Sequence, residues 1–240
     1  MKKHIPNAIT CCNLLAGCVA IVFALRGQHE AALWAIVAGA VFDFFDGMTA
    51  RLLHVSSPIG KELDSLADVV TFGVAPSAML FSFLSAQCSM LCEQACDTTS
   101  CIGHYASTIV PYVAFLMAAF SALRLAKFNL DERQAMGFIG LPTPANALFW
   151  SSLIVGGGEW LATSPYYIYG LLAMSLVSCY LLVAEIPMFA LKFKTWGWQG
   201  NQVKYIFLIT CVPLLLFLGI LGIAAIIAWY VILSIFTQRT

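Results

Sequence analysis

Apolar positions along this chain come in long runs broken by short polar stretches, with none of the two-residue alternation of a half-buried strand. A bilayer core of about 30 Å is crossed by roughly 20 residues of helix. Eight runs approach that length, at about 7–25, 31–53, 63–85, 105–127, 143–157, 165–184, 203–219 and 221–237. The fifth is short and ends on glycines. The last two meet at Gly219–Gly222, as a tight hairpin or as one broken unit. The pattern predicts an all-α membrane protein, a polytopic bundle of about eight transmembrane helices with a range of six to eight.

Composition sharpens this. Hydrophobic residues make up 61% and charged residues 10% of the chain, against about 25% charged in a soluble domain. A soluble globule could not wet its surface with so few polar groups. The formal net charge is zero, so nothing attracts nucleic acid. The charge distribution says more. With Lys2 and Lys3 in the cytoplasm, eight spans put Arg51, Lys61, Arg124, Lys127, Arg133, Lys192, Lys194, Lys204 and Arg239 on that side and leave only Arg26 opposite. Positive loops stay inside, so both termini are expected to be cytoplasmic. The first run contains polar residues and lacks a clear small-residue cleavage site, so it reads as a permanent span and not as a signal peptide. Cys88, Cys92, Cys96 and Cys101 fall in the outer loop at 86–104. They lack a C-x₂-C pair, which favours disulfides or free thiols over zinc.

The chemistry concentrates in Asp43, Asp46, Asp64 and Asp68, at the ends of the second and third runs. An acid near the middle of a span costs on the order of 2.5–3.5 kcal/mol, and such residues are functional candidates by default. Asp43 and Asp46 are i,i+3 and share a helix face with Gly47 and Ala50. Asp64 and Asp68 are i,i+4, with Gly60 one turn earlier. The segment 52–59 reverses the chain, so the two acidic faces can meet in one cleft as antiparallel neighbours. Converging carboxylates need a cation, since like charges oppose their common ionisation. Hard oxygen ligands suit Mg²⁺, Mn²⁺ or Ca²⁺, and four acids suit a pair of ions of the kind used in phosphoryl chemistry. The small residues leave room for a bulky anion, and Arg51 offers a planar fork for phosphate. An ion or proton pathway would also use buried acids.

At these residues the sequence resembles the CDP-alcohol phosphotransferase family, whose signature is D-x₂-D-G-x₂-A-R-x₈-G-x₃-D-x₃-D. Asp43, Asp46, Gly47, Ala50, Arg51, Gly60, Asp64 and Asp68 match every fixed position and gap. Pro6, Asn7 and Thr10 match the family's Pro-Asn-x-x-Thr stretch, and Ser57 matches a phosphate-side serine of several relatives. The resemblance implies two divalent cations, Mg²⁺ or Mn²⁺. Asp43 and Asp64 would bridge them, Asp46 would complete the first site, and Asp68 would complete the second. It makes Asp68 the general base as well. It also places Asn7, Thr10, Gly47, Ala50, Arg51, Ser57 and Gly60 around the CDP-lipid.

The stretches Leu123-Arg124-Leu125-Ala126-Lys127-Phe128-Asn129 and Phe138-Ile139-Gly140-Leu141-Pro142-Thr143-Pro144-Ala145 resemble the serine-accepting branch of the family, with Lys127 where arginine is commoner. This implies CDP-diacylglycerol and L-serine as substrates, with Arg124, Lys127 and Asn129 as candidate contacts for serine or phosphate. Positive-inside anchoring is the plain alternative for the two cations. Glycerol 3-phosphate or an inositol phosphate is the rival acceptor, although a phosphorylated one would call for more arginines. The expected organisation is one membrane-embedded domain over 1–240: a catalytic signature at 43–68, an acceptor region at about 121–146, and additional helices at about 165–237. The expected location is the cytoplasmic membrane, with the site facing the cytoplasm and a homodimer allowed. Trp160, Tyr166, Tyr167 and Tyr169 read as an outer aromatic belt, and Trp196, Trp198 and Tyr205 as an inner one.

Overall fold

The computed structural model describes residues 4–55, 57–94, 108–130, 138–161, 167–188, 197 and 201–237. Cys96, Cys101, Arg133, Lys192, Lys194, Trp196 and Trp198 lie outside the described residues, as does the side chain of Cys92; Cys88 has a buried free thiol.

Helix α1 (His4–Leu25) starts with Pro6 in its first turn, where a missing N–H costs nothing. It ends at Gly27, whose φ of 73° lets Gly27 and Gln28 donate back to Ala24 and Phe23. Helix α2 (His29–Leu52) then returns antiparallel to it. The buried stripe of α1 is Pro6, Thr10, Asn13, Gly17, Ala20 and Ala24. Its alternating spacing of four and three, and its small side chains, let α2 approach closely, which is how helices associate where lipid removes the hydrophobic driving force.

Ser57 caps α3 (Pro58–Asp68): its Oγ accepts from the Gly60 amide at 3.0 Å, and Pro58 follows at the first helical position. After Asp68 the helix widens into a π-turn (Val69–Val74) and continues as α4 (Ala75–Gln94). The apolar rod formed by these pieces runs unbroken over Pro58–Met90, 33 residues, well beyond the 63–85 expected from the apolar run. A 3₁₀ turn (Val110–Phe115) leads into α5 (Leu116–Leu130). Helix α6 (Thr143–Leu161) outruns its expected end at 157, because Gly156 and Gly157 let it pass close to the next-to-arrive helix at Leu221. Helix α7 (Tyr167–Val183), α8 (Gln202–Leu218) and α9 (Leu221–Thr237) complete the described chain. The α8–α9 pair is a tight hairpin and not one broken helix: Gly219 has φ 56°, and a Cβ on Gly222 would lie 2.5 Å from the Leu214 carbonyl oxygen.

Among the described residues, eight helical rods stand where eight apolar runs were read. Four of them, His4–Leu25, His29–Leu52, Pro58–Met90 and Val110–Leu130, are long and apolar enough to cross a membrane. The chain is an all-α membrane protein apart from one minimal strand pair, β1 (Phe138–Ile139) with β2 (Pro187–Met188), antiparallel. Gly140 follows at φ 77° and donates to the Ile186 carbonyl at 2.8 Å. A Cβ there would meet the Leu182 carbonyl oxygen at 2.9 Å. The Phe-x-Gly-Leu-Pro stretch is therefore a docking latch that fixes the start of α6 against the end of α7.

Helix α1 is the hub. Helices α2, α3 and α4 and the π-turn all pack on it, whereas α2 and α3 barely touch each other. The core around Phe72, Leu33, Ile36, Met79, Leu80, Met117 and Trp150 lies on the α4–α6 side. Trp150 donates to Ser178 Oγ at 3.1 Å, and Ser178 donates in turn to Asn146 Oδ1, while Asn146 Nδ2 has no partner among the described residues. Tyr167, expected at the interface, instead turns its ring edge toward Phe83 and buries its hydroxyl; Tyr169 is exposed.

Candidate active site

Helices α2 and α3 both pack on α1 and barely touch each other, and a pocket of about 250 Å³ opens where the end of α2 meets the start of α3. Its floor comes from α1 through Pro6, Asn7 and Thr10. One wall is Asp46, Gly47 and Ala50, and the other is Ser57, Gly60, Lys61 and Asp64. Six of the seven residues assigned to the CDP-lipid by resemblance line it. Gly60 is packed closely against the floor: a Cβ there would stand 3.0 Å from Ser57 Oγ and 3.1 Å from Asn7 Oδ1. The first turn of α3 faces the pocket through Ser57, Gly60 and Lys61, and the positive end of a helix dipole favours an anion. Arg51 is the exception. It is exposed, does not line the pocket, and its Nε donates to the Gly47 carbonyl at 3.0 Å.

Beside the pocket, carboxylate oxygens of Asp43, Asp64 and Asp68 all lie within 4.8 Å of one another. Asp46 is not part of this tight group. It sits one i,i+3 step from Asp43, which is about 60° around the helix and 4.5 Å along it, so it turns toward the Thr10 side of the pocket. The three-plus-one arrangement differs from four oxygens around one point. Asp46 Oδ2 and Asp64 Oδ1 are buried and have no hydrogen-bond partner among the described residues. Orphaned anionic oxygens beside a cluster of three carboxylates are what a hard divalent cation would satisfy, so this donor set fits one.

Two polar layers hold the acids. Asn13, fully buried on α1, donates through Nδ2 to Asp68 Oδ1 at 3.2 Å. Thr71, in the π-turn, donates to the Asn13 backbone carbonyl at 3.0 Å. Neither residue was singled out in the sequence. Asn13 was visible there as a polar residue one turn beyond Thr10, but Thr71 reaches α1 only because the π-turn re-aims it.

The acceptor-side candidates separate. Arg124 is 7% exposed, leaves its Nε without a partner, lies 5.7 Å from the Phe128 ring centroid, and is in electrostatic range of Asp68. Lys127 is exposed. Asn129 is engaged elsewhere: its Nδ2 donates to Ser65 Oγ at 2.8 Å, and its carbonyl accepts from Lys61 Nζ at 3.0 Å. Those bonds tie the end of α5 to the wall of the pocket.

A Cβ built on Gly47 meets nothing within 4 Å. Gly47→Leu should therefore leave the fold intact and project into the pocket. The KM for the nucleotide-bearing substrate should rise by about tenfold or more, with an unchanged melting temperature; initial-rate kinetics and thermal unfolding of the same preparation check both halves.

The sequence model of the CDP-alcohol phosphatidyltransferase family matches residues 3–155. Among curated proteins, the chain is similar to several named CDP-diacylglycerol–serine O-phosphatidyltransferase. That of Helicobacter pylori is 35% identical over 145 residues, covering 60% of this chain and 54% of the relative. That of Mycobacterium leprae is 34% identical over 196 residues, 77% of this chain and 57% of the relative. That of Bacillus subtilis is 37% identical over 146 residues, 59% and 70% respectively. The matched stretch thus spans little more than half the length of the first two.

Proposed function

Because the chain belongs to the CDP-alcohol phosphatidyltransferase family, we propose that it transfers the phosphatidyl group of CDP-diacylglycerol to the hydroxyl of L-serine and releases CMP. The observation that supports this most is the meeting of the Asp43, Asp64 and Asp68 carboxylates beside a pocket built from the rest of the signature. The names of the relatives supply serine as the acceptor.

Asp43, Asp46, Asp64 and Asp68 would hold two divalent cations, Mg²⁺ or Mn²⁺, which when bound stabilise charge on the pyrophosphate oxygens. Asn7, Thr10, Gly47, Ala50, Ser57 and Gly60 seat the CDP part, with Arg51 at the exposed rim. Asp68 accepts the proton of the serine hydroxyl as that oxygen bonds to the lipid-side phosphorus. The bond from phosphorus to the CMP oxygen breaks in the same displacement, and CMP leaves as the anion. Arg124, buried beside Asp68 with an unused N–H, pairs with the serine carboxylate. Lys127 and Asn129 frame that side: Lys127 from the surface, Asn129 by fixing the end of α5. With eight spans and the charge distribution read above, the site opens to the cytoplasm and the diacylglycerol tails stay in lipid.

CMP release from purified protein in nanodiscs, measured with Mn²⁺ and with or without serine, tests the proposal. Serine should accelerate release. Acceleration by glycerol 3-phosphate in its place would reassign the acceptor, and release indifferent to any alcohol would remove the transferase reading. Arg124→Ala should raise the KM for serine by about tenfold to a hundredfold, the value of a charge-assisted hydrogen bond. Mn²⁺ binding should be retained, as read from the electron paramagnetic resonance signal of the free ion. An unchanged serine KM would end that assignment.

A further inference from the structure

Asn13 is not among the signature residues, and the transferase mechanism above gives it no task. Yet three observations converge on it. Its side-chain Nδ2 donates to Asp68 Oδ1 at 3.2 Å, 55 residues away in sequence. Its backbone carbonyl accepts from Thr71 Oγ1 at 3.0 Å. Its Oδ1 is buried with no partner, on a residue with no exposed surface. An unpaired amide oxygen at such a position costs roughly 1–3 kcal/mol, a cost that packing alone does not require, since an apolar side chain there would leave no polar atom unpaired.

The surroundings are built to hold the amide. A Cβ on Gly39 of α2 would lie 3.0 Å from Asn13 Oδ1 and 2.5 Å from Thr71 Cγ2. A Cβ on Gly17 would strike Thr71 at its backbone, 2.8 Å from Cα. Thr71 is thus wedged between two glycines of α1 and α2, and from there it grips the turn of α1 that carries Asn13. The orientation of the amide follows from charge. With Nδ2 toward Asp68, a donor meets an anion; flipped, the amide oxygen would face a carboxylate oxygen. The arrangement accepts one orphaned oxygen on the Gly39 side in exchange for a donor on the Asp68 side.

We propose that Asn13 is a positioning residue, which fixes the rotation of the Asp68 carboxylate by engaging one of its oxygens and so presents the other to the reacting hydroxyl. This rests on the transferase reading, in which Asp68 accepts the proton. Asn13 touches neither substrate in that scheme. It acts through Asp68, and Thr71 with Gly17 and Gly39 fixes Asn13 itself.

The test uses the full chain in nanodiscs and three variants: Asn13→Leu, which keeps the branched framework and removes the donor; Thr71→Val, which removes the hydroxyl that holds Asn13; and Asp68→Asn as reference. Turnover, both KM values and Mn²⁺ binding without substrate are measured for each. Asn13→Leu should lower kcat by about 10- to 100-fold, as expected for loss of a hydrogen bond to a charged group. Both KM values should stay within about twofold, and Mn²⁺ binding in the absence of substrate should weaken severalfold, because a freely rotating Asp68 is a poorer ligand. Thr71→Val should show the same pattern, smaller in size. A kcat for Asn13→Leu within about twofold of the parent, or a defect confined to either KM, overturns the proposal. If Asp68→Asn abolishes turnover while Asn13→Leu keeps kcat within about twofold of the parent, only the role of Asn13 fails. If Asp68→Asn turns over normally, the assignment of the base fails with it.

Discussion

Asp64→Asn should lower serine-dependent CMP release by about three orders of magnitude, the scale expected when several kcal/mol of charge stabilisation disappear from a phosphoryl-transfer site. Of the four acids, Asp64 is placed to matter most. It belongs to the tight group with Asp43 and Asp68, and it also lines the pocket with Asp46. Its Oδ1 is buried without a partner. Asparagine has the same shape but presents only one oxygen and no charge, so a fold defect is not expected and the melting temperature should hold. The measurement is CMP release at saturating Mn²⁺ together with Mn²⁺ binding to the unloaded protein. Turnover near the parent level would show that the carboxylates do not work together, and the proposed chemistry would go with it.

Gly17→Val should be the most damaging substitution away from the acids. The added Cβ would stand 2.8 Å from Thr71 Cα and 3.0 Å from Thr71 N. Both are backbone atoms of the π-turn, so no rotamer change can relieve the contact. Overpacking of this kind costs about 1–3 kcal/mol and more where the backbone cannot yield. Relief requires α1 to move away from the π-turn, and α1 is the helix on which α2, α3 and α4 all rest. Lower thermal stability and loss of activity should appear together. Gly170→Val is the matched control: nothing lies within 4 Å of a Cβ there, and the position is exposed on α7. Equal stability of the two variants would mean that the junction of Gly17 and Thr71 is looser than described.

What the sequence revealed, and what it hid, divides along physical lines. Long apolar runs report their own environment, so eight helical rods were readable, with errors only at ends. Those ends moved for tertiary reasons: α6 runs on past 157 because its glycines admit Leu221, and the third rod stays intact through a π-turn that no local signal marks. The acids were readable because ionisable groups in apolar helices demand an explanation. Their division into three and one was not, since it depends on how α2 and α3 each pack on α1. Ser57 matched a phosphate-side position by resemblance, while its visible bond is that of a helix cap. Asn129 was read toward the acceptor and is found bonded to Ser65. Both are polar residues whose partner is chosen by packing. Asn13 could have been found: an amide within an apolar run is as anomalous as a carboxylate there, and it sits on the same stripe as Pro6 and Thr10.

The π-turn at Val69–Val74 also has a bearing on insertions and deletions. Its wider winding accommodates an additional residue within an otherwise α-helical rod. The stretch bearing Asp64 and Asp68 and the stretch built into the core are consequently out of phase with a single ideal helix. Deleting one residue there would restore regular winding and leave the two halves in phase, whereas inserting one more that the turn cannot absorb would swing one half against the other by about 100°. Every side chain would survive such an insertion, and α4 could keep its seat in the core, but Asp64 and Asp68 would face away from Asp43. At this place the number of residues matters as much as their identity.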